Sequence, residues 1–182
     1  MPDLDETVSG LMLMGHHAKA GTQRAFLPHT WMADWADFLI NGQSVGEMGI
    51  ESCYAGHWGV PPILAHGDEA CCKEAAAQLP GIVTAAVKHA ESRDLCSGLD
   101  AKSARELTAE KVTEAVTKVR TAKPAPYRAS LPITVTIRMT SEIAAEAAAK
   151  KPGAQRVDAR TVQCVLNRQC DIVKWIAAAG AD

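Results

Sequence analysis

The sequence lacks a long apolar run, an excess of basic charge and the paired cysteines of common metal motifs. Its 182 residues carry 19 Lys and Arg against 21 Asp and Glu, a formal net charge of −2. A nucleic-acid-binding protein needs a basic face, so this balance argues against nucleic acid as a partner. The longest uncharged stretch, 52–67, contains Pro61-Pro62 and several glycines. No membrane-spanning helix is therefore expected.

The cysteines and the first residues bear on the compartment. None of the six cysteines stands in a CxxC pair, and Cys71 and Cys72 are adjacent, which is a poor disulfide framework. The acidic residues Asp3, Asp5 and Glu6 give the amino terminus the wrong charge for a secretory leader. We therefore expect reduced thiols and a cytoplasmic location. HExxH and glycine-rich phosphate-loop motifs are also absent, so neither assigns a function.

The apolar pattern predicts strands that alternate with helices over the first two thirds of the chain. Predicted strands lie at 10–15, 38–40, 63–65 and 82–87, and predicted helices at 45–58, 69–79 and 101–121. This alternation is typical of a parallel sheet covered by helices. Ligands bind such a sheet at the loops that leave the carboxyl ends of its strands.

The proline-punctuated segment 123–127 is the predicted domain boundary. After it, the pattern predicts a strand at 133–139, a helix at 141–150, strand character over 155–166 and a helix over 168–179. The predicted architecture is α/β, with a mostly parallel sheet and flanking helices over residues 1–124. A small α+β subdomain is predicted over residues 125–182.

Three histidines follow the first predicted strand, at His16, His17 and His29. A histidine on such a loop can bind a metal ion through its neutral imidazole or act as a general base near neutral pH. A surface histidine, or one whose polar atoms are satisfied within the core, is the alternative reading. The spacing alone does not choose between these readings.

A carboxylate and a cysteine are the other candidates. Glu47 lies in the first turn of a predicted helix, where the helix dipole favours negative charge. The neighbouring Gly46 and Gly49 would also leave this carboxylate accessible to a ligand. Cys53 precedes His57 by one helical turn, which suits a nucleophile pair, although a buried structural cysteine is the alternative.

Several short blocks in fixed order carry a resemblance to a known family. They are LMGHHAKAGT at 13–22, HT at 29–30, ING at 40–42, VGEMG at 45–49, AGHWGVP at 55–61, GDEA at 67–70 and TAAVK at 84–88. With these blocks the chain resembles the D-aminopeptidase family of dinuclear zinc metallopeptidases. The resemblance covers about residues 10–95 well and the remainder loosely.

The resemblance implies a role for three residues. By position, His17 and Glu47 match metal ligands of the family, and His29 matches the histidine that acts in catalysis beside the metal pair. It further implies a site for two Zn²⁺ ions, an α/β fold and a ring-type homo-oligomer. The implied reaction is hydrolysis of the N-terminal, often D-configured, residue of short peptides.

The chain departs from the family pattern near its start. Family members open with a strand that ends in an Asp-x-Glu pair of ligands and later add an Asp-x-His block, and neither precedes residue 10 here. The resemblance therefore implies an N-terminally truncated member with impaired activity, or one completed by a second chain. The alternatives are a non-catalytic fragment or assembly module of this fold and an amidohydrolase that acts on another small amide.

Overall fold

The computed structural model describes residues 4–178. The last residue of the predicted helix 168–179 therefore lies outside the described residues. Nine strands and five helices are assigned in this range. The strands are β1 (Leu11–His16), β2 (Trp35–Ile40), β3 (Gln43–Ser44), β4 (Pro62–Asp68), β5 (Val83–Ala90), β6 (Cys96–Gly98), β7 (Ile133–Met139), β8 (Gln155–Arg156) and β9 (Thr161–Leu166). The helices are α1 (Glu47–Gly56), α2 (Glu69–Gln78), α3 (Ala101–Thr121), α4 (Glu142–Ala148) and α5 (Asp171–Ala177).

The first sheet is mostly parallel and carries helices, as the alternating pattern predicts. Its strand order is β1-β4-β5-β6, with β1, β4 and β5 parallel and only β6 antiparallel. The apolar residues of α3 pack on β4 and β5, and α2 packs on the same sheet in a separate core with Leu13 and Ala65. We call these four strands with α2 and α3 the parallel layer. The predicted α/β fold class is confirmed.

The second sheet is antiparallel and joins strands that are far apart in the sequence. Its order is β3-β2-β7-β9-β8. We call these strands with α4 and α5 the antiparallel layer. β2 pairs with β7 so that Phe38 faces Ile137 across the ladder. Two of its strands precede residue 124 and three follow it, while the segment 123–130 between them forms no helix or strand. The division into 1–124 and 125–182 stays a prediction.

Local sequence explains several element ends. Asp68 caps α2, because its Oδ1 accepts a hydrogen bond from the Cys71 amide at 3.0 Å. Asn41 and Gly42 both have positive φ, as a tight turn between β2 and β3 requires. The predicted strand at 155–166 is two strands, β8 and β9, that pair through a turn. The short strands β3 and β6 were not predicted.

Helix α1 lies between the two layers. Ile50 and Cys53 belong to the core of the antiparallel layer. Met48 belongs to a separate core with Leu13 of β1 and Cys71 of α2. The helix is therefore apolar on two sides. No helix among the described residues is long and apolar enough to cross a membrane.

Candidate metal centre

Three side chains meet beside the carboxyl end of β1. His17 follows β1 directly, His29 lies on the long loop between β1 and β2, and Glu47 is the first residue of α1. One ligand atom from each lies within 4.8 Å of the other two. Across residues 4–178, this is the one cluster of three histidine, cysteine or acidic side chains with such spacing. All three are half-buried, so a ligand can reach them.

The carboxylate of Glu47 is the centre of the cluster. Its Oε1 accepts a hydrogen bond from the Trp31 amide at 3.0 Å and lies 3.4 Å from Nε2 of His29. Glu47 also lies at the amino end of α1, where the helix dipole favours the charged carboxylate. In this position Glu47 can interact favourably with the helix dipole and also act as a metal ligand.

Hydrogen bonding fixes the tautomer of His29. Its Nδ1 lies 2.8 Å from the carbonyl oxygen of Leu27, which can only accept, so Nδ1 carries the proton in the neutral ring. The lone pair is then on Nε2, the atom that faces Glu47. The backbone amide of His29 donates to the carbonyl of Ala18 at 3.1 Å, which ties it to the residue after His17.

His17 lies against His29, with 4.9 Å between the ring centroids. Burial lowers the pKa of the His17 imidazole, and the nearby His29 and Lys88 lower it further. A histidine must be neutral to bind a metal ion, so this environment favours the form that can act as a ligand.

The loop that carries His29 is held in a strained conformation. Arg24, Leu27 and Trp31 all have positive φ between 48° and 58°. Such values cost energy in residues other than glycine and are common at functional sites. The buried carboxylate of Asp68 helps to hold the loop, because its Oδ2 accepts from the Phe26 amide at 2.9 Å.

His16 lies beside the cluster and faces α1. Its Nε2 is 3.4 Å from Oε2 of Glu51, and its Nδ1 is 3.8 Å from Oε2 of Glu47. Burial lowers the pKa of His16, but Glu51, Glu47 and the more distant Glu74 raise it by more, so the net shift is upward. The structure therefore brings two of the three clustered histidines into the centre and leaves His16 at its edge.

The pairing of Cys53 with His57 is not a nucleophile pair. Cys53 is fully buried, and this burial raises its thiol pKa to about 12. His57 lies at the end of α1 against Trp58, with its Nε2 3.4 Å from Arg168. The alternative of a structural cysteine in the core is the correct one.

A cavity of about 780 Å³ opens between the β1–β2 loop and α2. Lys19, two residues after His17, and Glu74 of α2 both line it. The cavity wall carries charges of both signs, with Arg24 and Lys73 among the cations. Its size is within the range of small-molecule sites, and its lining does not include His17, His29 or Glu47.

Comparison with known proteins gives three matches. A family model described as D-aminopeptidase matches residues 1–178. A D-aminopeptidase of Bacillus subtilis (strain 168) is 35% identical over 121 residues, which is 66% of this chain and 44% of that protein. A solved structure, described as Zn-dependent D-aminopeptidase DppA from Bacillus subtilis, a self-compartmentalizing protease, superposes with a TM-score of 0.90 and 28% identity. The match covers 96% of this chain and 63% of that one, so the chain spans less than two thirds of either relative.

Proposed function

This chain belongs to the D-aminopeptidase family, and from that premise we propose that it is a zinc-dependent aminopeptidase. The proposed reaction removes the N-terminal residue of short peptides, with D-configured residues as the first substrates to test. A relative of the same fold is described as Zn-dependent, which supports the choice of metal.

One observation carries the proposal: the ligand atoms of His17, His29 and Glu47 lie within 4.8 Å of one another. Imidazole nitrogen and carboxylate oxygen are donors that zinc accepts, so His17 and Glu47 fit the ion. In our assignment His17 and Glu47 hold it. When bound, Zn²⁺ acts as a Lewis acid toward a peptide carbonyl and makes water a nucleophile near neutral pH.

His29 is the proposed catalytic residue. Its Nδ1–H donates to the Leu27 carbonyl, so the ring is fixed with the Nε2 lone pair toward the centre. Nε2 can then accept a proton and return it to the departing amine. Glu47, 3.4 Å away, stabilises the imidazolium that forms in between. The proposed peptide site is the cavity beside Lys19 and Glu74, which is lined from two residues after His17 onward and not by His17, His29 or Glu47.

The full site in our proposal holds two zinc ions and needs more ligands than the described residues supply. Within residues 4–178, the one cluster with metal-ligand spacing has three members. We therefore expect weak zinc binding and slow turnover by the 182-residue chain alone, with further ligands from a complementing chain. A relative is described as self-compartmentalizing, which supports a ring-type homo-oligomer.

A cytoplasmic location is part of the proposal. The six cysteines are all free in the structure, and five of them are buried. Free thiols persist in a reducing compartment, which supports the cytoplasm.

The test combines zinc titration with hydrolysis of a chromogenic D-alanine anilide. We expect calorimetry to show zinc binding by the wild-type chain that is abolished in H17A and E47Q. The H29A variant should lose turnover by more than it loses zinc affinity. Exposed His89, replaced in H89A, is the matched control for zinc affinity and should bind zinc as wild type does; it is no control for turnover, because it lines the cavity.

Two outcomes would contradict the proposed activity, and a third would contradict the complementing chain. Zinc binding unchanged in both H17A and E47Q would favour a non-catalytic assembly module of this fold. Zinc-dependent hydrolysis of simple amides but not of peptides would favour an amidohydrolase. Tight binding of two zinc ions with fast turnover would leave the aminopeptidase assignment intact and contradict the need for a complementing chain.

A further inference from the structure

Glu74 of α2 is a half-buried carboxylate between the two segments that carry the proposed metal ligands. Its Oε2 accepts a hydrogen bond from the backbone amide of Lys19 at 2.8 Å. Lys19 lies two residues after His17, and its amide is fixed by this bond. Burial raises the pKa of the Glu74 carboxyl, and its contacts with the Lys19 and Gly46 backbones offset that rise only in part.

The other oxygen of Glu74 lies against the backbone that precedes Glu47. Oε1 is buried and lies near the Gly46 backbone, without a hydrogen bond of good geometry to any described residue. A Cβ on Gly46 would lie 2.6 Å from this oxygen and 3.0 Å from the Cβ of Lys19. Gly46 has a φ of −95°, which any residue can adopt, so a larger residue here would be opposed by the position of the Glu74 carboxylate and not by backbone geometry.

We propose that Glu74 is a positioning residue for the metal centre, because it sets the distance between the backbone after His17 and the backbone before Glu47. The inference rests on the proposed function of these two residues as metal ligands. Residues that orient metal ligands through hydrogen bonds usually contribute to metal affinity without touching the ion. Gly46 contributes to this positioning, because its lack of a side chain lets the Glu74 carboxylate approach the backbone before Glu47.

The test measures Zn²⁺ affinity by competition with a chromophoric chelator. We expect E74A to lower the affinity by about tenfold to hundredfold, as for other residues that orient ligands. E74Q keeps an oxygen that can accept from the Lys19 amide, so it should restore most of the affinity. The control is E69A, because Glu69 lies exposed on the same helix and pairs with Lys73 at 3.2 Å.

A second variant tests the approach of the two backbones directly. G46A places a methyl group against Oε1 of Glu74 and should also lower zinc affinity. In the E74A background that oxygen is gone, so G46A should lower the affinity by less than in the wild-type background. Equal effects of G46A in both backgrounds, or wild-type affinity in E74A, would overturn the proposal.

Hydrogen exchange in the metal-free protein separates this inference from the proposed function. We expect the amide of Lys19 to exchange faster in E74A, together with the amides of the first turn of α1, while E69A matches wild type. Absence of zinc binding in the wild-type chain would refute the proposed function. Unchanged exchange at both segments in E74A would refute the positioning role, whatever the chain binds.

Discussion

The two layers divide stability and chemistry between them. The antiparallel layer and the inner face of α1 share a core of seventeen buried residues, almost all aliphatic or aromatic. The parallel layer has two smaller cores of six and five residues, and its buried polar residues include Asp68. The residues with strained φ that flank His29 lie on the loop between β1 and β2, and one of them, Trp31, packs against the core of the antiparallel layer. Burial of a large apolar core stabilises the folded state, and this stabilisation offsets the free-energy cost of a strained, polar site.

The largest expected effect is on the antiparallel layer. Phe38 is fully buried on β2 beside Trp35, and F38A should lower the free energy of unfolding by about 3–5 kcal/mol. Denaturant unfolding measures this loss. I143A is the control, because Ile143 is 81% exposed and its truncation should change stability by no more than about 0.5 kcal/mol. Equal losses in both variants would contradict the assignment of the core.

Zinc binding should stabilise the folded protein at the metal centre, which lies beside the parallel layer. Zinc at a hundred times its dissociation constant is expected to raise the free energy of unfolding by about 2.7 kcal/mol, and a chelator should reverse this. Thermal unfolding with and without zinc measures it. E47Q should show no zinc-dependent shift while F38A, where folded, keeps one. A shift in E47Q equal to that of wild type would place the ion elsewhere.

Asp68 should affect both stability and metal binding. It accepts from the Cys71 amide and from the Phe26 amide, and D68A leaves both without their acceptor. We expect a loss of about 1–3 kcal/mol in unfolding free energy and weaker zinc binding, because the released loop also carries the Trp31 amide that holds Glu47. D100A removes the N-cap of α3 and should leave zinc affinity unchanged. Unchanged affinity in D68A would show that the loop holds its shape without this carboxylate.

The smallest effect is a difference in thiol labelling rates. Cys71 belongs to the six-residue core and Cys53 to the seventeen-residue core, and burial raises the pKa of both thiols. Smaller cores open locally at lower free energy, so Cys71 should react with a thiol reagent before Cys53. Half-exposed Cys96 should react first of all. Mass spectrometry of quenched samples gives the order, and reaction of Cys53 before Cys71 would reverse our comparison of the layers.

The sequence predicts the positions of helices and strands better than it predicts which strands pair with each other. Apolar runs and caps located the main strands and helices, because these signals are local. The pairing of β2 with β7 joins Phe38 to Ile137 across about half of the chain, and no local pattern encodes it. The short strand β6 has an exposed end and a weak apolar signal, so it was missed.

The same limit applies to the site. The candidates His17, His29 and Glu47 were named from loop position and family resemblance, and the structure brings them together, although their roles stay predictions. Glu74 was missed because it lies within an alanine-rich helix and resembles an ordinary surface residue there. Only the fold reveals that its oxygens reach the Lys19 amide and Gly46. In the structure, Gly46 indicates the role of Glu74, because its φ is ordinary while the Glu74 carboxylate leaves little room for a side chain there.

The location of α1 would give an ion bound by His17 and Glu47 a mechanical role. Glu47 begins a helix whose Ile50 and Cys53 are anchored in one layer and whose Met48 is anchored in the other, whereas His17 follows a strand of the parallel layer alone. Relative sliding of the layers would change the separation between these two side chains. Zinc accepts ligands only at about 2 Å, so an ion bound by both would oppose such sliding. In our proposal the bound zinc ion thus cross-links the parallel and antiparallel layers where α1 joins them.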